Sequence, residues 1–186
     1  MEGIIEFLRA VGKLKRLPRT GWLEVGVKDP ESVAEHSYRT AVLAMMMADL
    51  QGLDAEKAMR MALLHDLAET GDMTPEQKMR RGPASTREED EAMTNILSTL
   101  PTSLAEKYRS LWEEYRTGAS PEAETAVQAD KVEMILQALE YEETGVDPSR
   151  LDRFWYGEVG GGLPSELVGL MRRKRRGRDT TPQDGS

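Results

Sequence analysis

Helix-start and helix-stop residues recur along this chain at intervals of one short helix. That punctuation constrains the fold more than any other feature. Ser32 and Glu35 have capping-box spacing, in which a Ser hydroxyl and a Glu carboxylate satisfy the free N–H groups of a helix start. Asp54 can cap a second helix, and Ser120-Pro121 opens another with proline at its first position. Ser103 and Glu106 repeat the capping-box spacing, Thr74-Pro75 repeats the start with proline, and Thr86 opens a helix to Leu100. Gly52, Gly71, Gly118 and Gly145 stand where helices should stop. Between these signals the apolar residues keep a helical period, as in the stripe Ile4, Ile5, Leu8, Val11 and Leu14 that ends before Pro18. Residues 18–31 carry Pro, Gly and Asp and read as a long loop. Shorter helices follow Pro148 and Pro164, with Gly160-Gly161-Gly162 as a turn or hinge between them. There is no sustained strand-like alternation and no internal repeat. The expectation is an all-α fold, a compact single-domain helical bundle with brief loops.

A chain of 186 residues, 39% apolar, has enough material for one core. The domain is expected over 1–176, with the polar residues 177–186 as a disordered tail. No apolar run is long enough to span a membrane, and the N-terminus lacks the pattern of a signal peptide. The absence of cysteine removes disulfides, thiolate ligands and a thiol nucleophile, and points to a cytoplasmic location. A net charge of −8 argues against nucleic acid as a partner. The one local exception is Arg172-Arg173-Lys174-Arg175-Arg176, read as a fraying, solvated helix end. The eleven methionines sit mainly on apolar helix faces and are read as core filling.

The chain has only two histidines. His65 is followed by Asp66 inside the apolar run 62–69, His36 sits one turn into the helix capped by Ser32, and Asp130 lies between Val127 and Met134 on the long helix. A carboxylate on an apolar face is costly unless it is paired or bound to metal. Two imidazoles and two carboxylates suit a hydrolytic divalent ion better than a thiolate site would, and leave room in an octahedral shell for water and substrate oxygens. Glu69 follows His65 by one helical turn and can orient or deprotonate a water. Arg19 can fork onto a phosphate, and Trp22 can offer a face to a base or sugar.

The order H…HD…D on successive helices resembles the HD-domain metal phosphohydrolases. The likeness extends to the HD-domain 5'-deoxynucleotidases through residues 14–22, 30–37, 65–69, 88–93, 111–115 and 130–138, and spans the chain from Ile5 to Val168. It implies His36, His65, Asp66 and Asp130 as ligands of one divalent metal ion, which could be Mn, Co, Mg, Fe or Zn. It implies Glu69 as the catalytic carboxylate, Asp72 as a second acid assisting proton transfer, and Arg19 and Trp22 as nucleotide contacts. Two departures stand out: Asp72 follows Glu69 by only three residues, where relatives have a longer segment, and two residues separate Arg19 from Trp22. The activity implied is hydrolysis of a deoxynucleoside 5'-monophosphate to deoxynucleoside and phosphate, and the assembly implied is a homodimer. Two alternatives remain open at this point. One is an HD phosphohydrolase acting on a triphosphate or cyclic nucleotide, and the other is a non-catalytic helical binding module.

Overall fold

The structure is a computed structural model describing residues 2–70 and 83–179. Expectations for Gly71, Asp72, the Thr74-Pro75 helix and the end of the tail fall outside those residues. The described chain forms α1 (Glu2–Lys13), a 3-10 turn (Leu14–Arg16), α2 (Thr20–Glu24), α3 (Val33–Gln51), α4 (Ala55–Leu64) and a second 3-10 turn (Leu67–Thr70). It continues with α5 (Pro83–Leu97), α6 (Thr102–Thr117), α7 (Pro121–Glu143), α8 (Pro148–Trp155) and α9 (Leu163–Asp179). No strand forms among the described residues, apart from one isolated antiparallel bridge between Pro18 and Ser32. The fold is the all-α bundle that the helical punctuation implies.

Several local signals act as read. Ser32 Oγ accepts from the Glu35 N–H at 3.2 Å, and the Glu35 carboxylate accepts from the Ser32 N–H at 2.7 Å, so the capping box is complete. Asp54 accepts from the Lys57 N–H at 3.0 Å, and Ser120 caps α7 in front of Pro121. Gly52 closes α3 with φ +68, a left-handed conformation that costs glycine least.

Other signals give way to neighbours. Pro101, not Ser103, precedes the first residue of α6: its carbonyl already accepts from the Leu104 and Ala105 N–H groups, so the helix has begun before Ser103. α5 starts at Pro83 rather than Thr86, in keeping with the fit of proline to a first helical position. The segment 18–31 contains the five-residue helix α2, which lacks a side-chain cap. Burial of Trp22 holds it, since the indole packs 4.0 Å from the Phe154 ring and edge-on to Tyr141. Local periodicity carries no trace of such a long-range anchor. The basic run lies on α9, which continues to Asp179, and it is not simply solvated. Arg175 pairs with Glu142 and Asp152 at 2.9 and 2.7 Å and lies over the Trp155 ring, while Arg172 donates to the Trp155 carbonyl. These contacts dock α9 onto α7 and α8.

The core region that matters most for function lies where α3, α4 and α7 meet. Its buried residues are Ala41, Ala44, Ala48, Ala58, Ala62, Ala123, Ala126 and Ala129, with Met47 and Met61 filling between them. Short side chains let three helix backbones approach closely, so residues on different helices can share one small space. Met47, Met61 and Met93 are fully buried, whereas Met45 and Met46 are exposed, so core filling accounts for only part of the methionine content.

Candidate metal centre

Each helix of that junction delivers part of one polar cluster. α3, started by the Ser32 box, carries His36 one turn in. α7 brings Asp130 to it, with Oδ1 3.0 Å from His36 Nε2. α4 ends at Leu64, earlier than the stop expected at Gly71, and the chain turns so that His65 and Asp66 face the same point. The early end has a local cause: His65 Nδ1 donates to the Ala62 carbonyl at 2.7 Å, satisfying a carbonyl near the helix terminus. His65 Nε2 then lies 3.1 Å from Asp66 Oδ2 and 4.0 Å from Asp130 Oδ1, and His36 Nε2 lies 3.7 Å from Asp66 Oδ2. Ligand atoms of His36, His65 and Asp66 all fall within 4.8 Å of one another. The sequence expectation for these residues was a continuous helical face, but the 3-10 turn Leu67–Thr70 supplies Glu69 instead.

The electrostatics follow from this crowding. Burial pulls the His36 pKa down, but hydrogen bonds to Asp130 and Glu133 outweigh it and push the value up to about 9. Burial likewise opposes the charge on His65, and Asp66 reverses it, so that pKa is raised as well. Burial disfavours the charged carboxylates, yet His65 and Arg19 hold Asp66 well below the usual range, and the His36 hydrogen bond lowers Asp130. Tyr115, whose ring lies 5.4 Å from that of His65, has its pKa raised by burial and by the charges of Asp130 and Asp66. Its hydroxyl is therefore a standing donor.

The donor set fits a divalent ion. His65 Nε2 is buried and makes no hydrogen bond, although carboxylate oxygens lie close by. A buried imidazole nitrogen in that state is costly unless something accepts its lone pair. Two imidazole nitrogens and two carboxylates are ligands for Mg, Mn, Fe, Co or Zn.

A pocket of about 700 Å³ opens beside the cluster, lined among others by Arg19, Asp66, Glu69, Asp130, Arg153 and Phe154. Arg19 Nη1 donates to Asp66 Oδ2 at 2.9 Å, so its guanidinium sits at the edge of the cluster. Trp22, expected to offer an open face, is only 1% exposed. It borders the pocket from behind, with Nε1 donating to Glu31 at 2.9 Å. Asp72 lies outside the described residues. Sequence reasoning passed over Glu133, Arg39, Glu31, Tyr115 and Arg153. For the first two a signal existed: Arg39 follows His36 by three residues, and Glu133 follows Asp130 by three.

The HD-domain sequence profile matches residues 11–157. The human 5'-deoxynucleotidase HDDC2 is 43% identical, over 95% of this chain and 87% of its own length. The fission yeast (Schizosaccharomyces pombe) 5'-deoxynucleotidase hdd1 is 38% identical, over 84% and 81%. Among solved structures, a conserved hypothetical protein from Pyrococcus furiosus superposes with a TM-score of 0.73 at 34% identity, covering 91% of this chain and 99% of that one. An HD-domain phosphohydrolase from Listeria innocua shares the fold, with a TM-score of 0.64 at 20% identity, over 93% of this chain and 80% of that one. With a polar cluster of two histidines and two aspartates at the junction of its helices, and with relatives named 5'-deoxynucleotidase matched over most of their length, this chain belongs to the HD-domain family.

Proposed function

We propose that the chain hydrolyses deoxynucleoside 5'-monophosphates to deoxynucleoside and phosphate with one divalent ion held by His36, His65, Asp66 and Asp130. The observation that carries this reading is a single pocket lined by Asp66 and Asp130 together with Glu69 and Arg19. Its volume lies within the range of small-ligand sites. The ion, when bound, supplies Lewis-acid chemistry, neutralising phosphate charge and making a water more acidic. Glu69 accepts the proton of the attacking water as its oxygen bonds to phosphorus. The P–O5' bond breaks, and the leaving oxygen takes a proton from solvent or an acid, the role given to Asp72. Arg19 forks onto the phosphate oxygens. Trp22 acts through Glu31, which accepts its N–H and lies 3.9 Å from Arg19 Nε, so the indole sets the loop that carries the guanidinium.

A homodimer and a cytoplasmic setting belong to the same reading. Support for the dimer comes from α3, where Tyr38, Val42, Met46 and Leu50 form an exposed apolar stripe of the kind a second copy would cover. Sedimentation at the dimer mass, lost in Leu50→Glu, is the expected result, and a monomer at all concentrations removes that element. Among the described residues no helix is long and apolar enough to cross a membrane.

The deciding assay compares phosphate release from dAMP, AMP, dATP and 3'-dAMP with Co²⁺ or Mn²⁺ supplied. The deoxy form should lead AMP by roughly tenfold to a hundredfold if an added 2'-hydroxyl is buried without a partner. Equal rates on AMP and dAMP remove the deoxy preference. Release of pyrophosphate or triphosphate from dATP in preference to phosphate from dAMP overturns the monophosphatase.

A further inference from the structure

α7 carries Asp130, Glu133, Gln137 and Glu140 at spacings of three and four, so they share one helical face. α3 answers with His36 and Arg39, three residues apart. His36 Nδ1 donates to Glu133 Oε2 at 2.5 Å. Arg39 places Nε at 2.9 Å and Nη2 at 2.7 Å from the other carboxylate oxygen, Oε1. Nη1 reaches Glu140 at 2.6 Å, and Nη2 also donates to Gln137 at 2.5 Å. The side chains of His36 and Glu133 have no exposure to solvent.

We propose that Glu133, braced by Arg39, is the positioning residue that turns His36 into a metal ligand. It engages the Nδ1–H and leaves Nε2, which faces Asp66 and Asp130, as the nitrogen that gives up its proton when a cation binds. This rests on the metal reading given above. An imidazole has two ring nitrogens, and only the unprotonated one can bind a cation. A carboxylate on Nδ1 decides which one that is, blocks a ring flip, and makes the ligand nitrogen more basic. Glu133 can play this part because both its oxygens are satisfied, one by His36 and one by Arg39. Without the arginine it would be a buried charge held by a single hydrogen bond, which is unfavourable.

The same geometry disfavours a rival. Glu31, His36 and Glu133 also offer ligand atoms within 4.8 Å of one another. The Arg39 fork lies on Glu133 itself, and Nδ1 of His36 already carries the hydrogen bond there. A cation at that point would face a guanidinium and would have to displace a donated proton. The Nε2 side has the richer donor set: two aspartates and the His65 imidazole converge there, and Arg19 meets Asp66 through Nη1 alone.

The histidine pair makes the test tractable, because the chain has only four imidazole nitrogens. Co²⁺ affinity is measured by titration calorimetry on the wild type, Glu133→Leu and Glu133→Gln, with folding checked by circular dichroism and thermal melting. Glu133→Leu should weaken Co²⁺ binding roughly 10- to 100-fold at an equal folded fraction. Glu133→Gln keeps an oxygen that can accept the Nδ1–H and should recover most of that loss. Independently of any variant, nitrogen NMR of the Zn²⁺-loaded wild type should show His36 protonated at Nδ1 and bound to metal through Nε2. A leucine variant that melts early but binds Co²⁺ like the wild type reduces Glu133 to a packing role and overturns the proposal, as does metal on Nδ1. Should Glu133→Leu fail to fold, the wild-type spectrum decides. Wild-type protein that takes up no Co²⁺ removes the metal site and this proposal with it.

Discussion

His36 and His65 present the same ring nitrogen to the same pair of aspartates, but they are held in opposite ways. His65 is fixed by its own neighbourhood: Nδ1 donates to the Ala62 carbonyl, three residues back. His36 is fixed from afar, by a carboxylate 97 residues away that is itself held by an arginine. The local arrangement needs only a helix that stops at Leu64. The distant one needs α3 and α7 packed in register. The contrast separates two sources of precision in one cluster, chain geometry on one side and tertiary packing on the other. Each has its own vulnerability.

Removing each imidazole in turn tests the contrast most severely. His65→Ala and His36→Ala should both abolish metal uptake and with it phosphate release, measured by metal analysis and product assay. Their stabilities should diverge. His36→Ala leaves the buried Glu133 one hydrogen bond short, an extra cost of about 1–3 kcal/mol in chemical denaturation. Equal losses of stability would erase the distinction between local and distant holding. Unchanged metal content in both would remove the site.

Next in size is Glu69→Gln. Glu69 comes from the 3-10 turn that follows His65, so it belongs to the locally built side. The substitution keeps shape but removes the base, and kcat should fall roughly 10²- to 10⁴-fold with Co²⁺ content unchanged. A parental rate would show that the local side only holds the ion and takes no part in proton transfer.

The smallest effect concerns the start of α3. Ser32→Ala should lower stability by about 1 kcal/mol. Its pH dependence follows from Glu35, whose carboxyl the Ser32 N–H and hydroxyl hold below its ordinary value of 4.5. A group whose folded pKa is depressed contributes its stability in full above the unfolded value. That contribution fades as pH falls through the folded one. Glu35→Gln should therefore narrow the gap to wild type on acidification below about pH 4.5, followed as Tm across pH 3–7. A constant gap over that range would show that the Glu35 charge adds nothing to the cap.

What could be read from the sequence follows the same division. His36, His65, Asp66 and Asp130 stood out because ligand-type side chains on apolar helical faces need a partner, and the structure groups all four. Helix starts at Ser32, Asp54 and Ser120 were visible because a cap is a local hydrogen bond. What escaped depends on distant contacts. Helix α2 exists because Trp22 finds Phe154 and Tyr141. Pro101 displaces the Ser103 box by accepting the first helical bonds itself, and the basic run docks because acids of α7 and α8 meet it. Glu133 escaped for another reason: its spacing of three from Asp130 was visible, but a glutamate on a long helix reads as solvated until the arginine opposite it is known.

The alanine layer between α3, α4 and α7 carries one more consequence. Its alanines carry no ligand atoms, yet it works as the ruler of the centre. The distance between the two imidazoles is set by how little side-chain volume separates the backbones that bear them. A methyl group added at Ala44 or Ala126, both fully buried, would be felt as a change of ligand spacing before it was felt as a loss of fold. In such a molecule the spacing of the polar cluster is set from behind, by residues with no chemistry of their own.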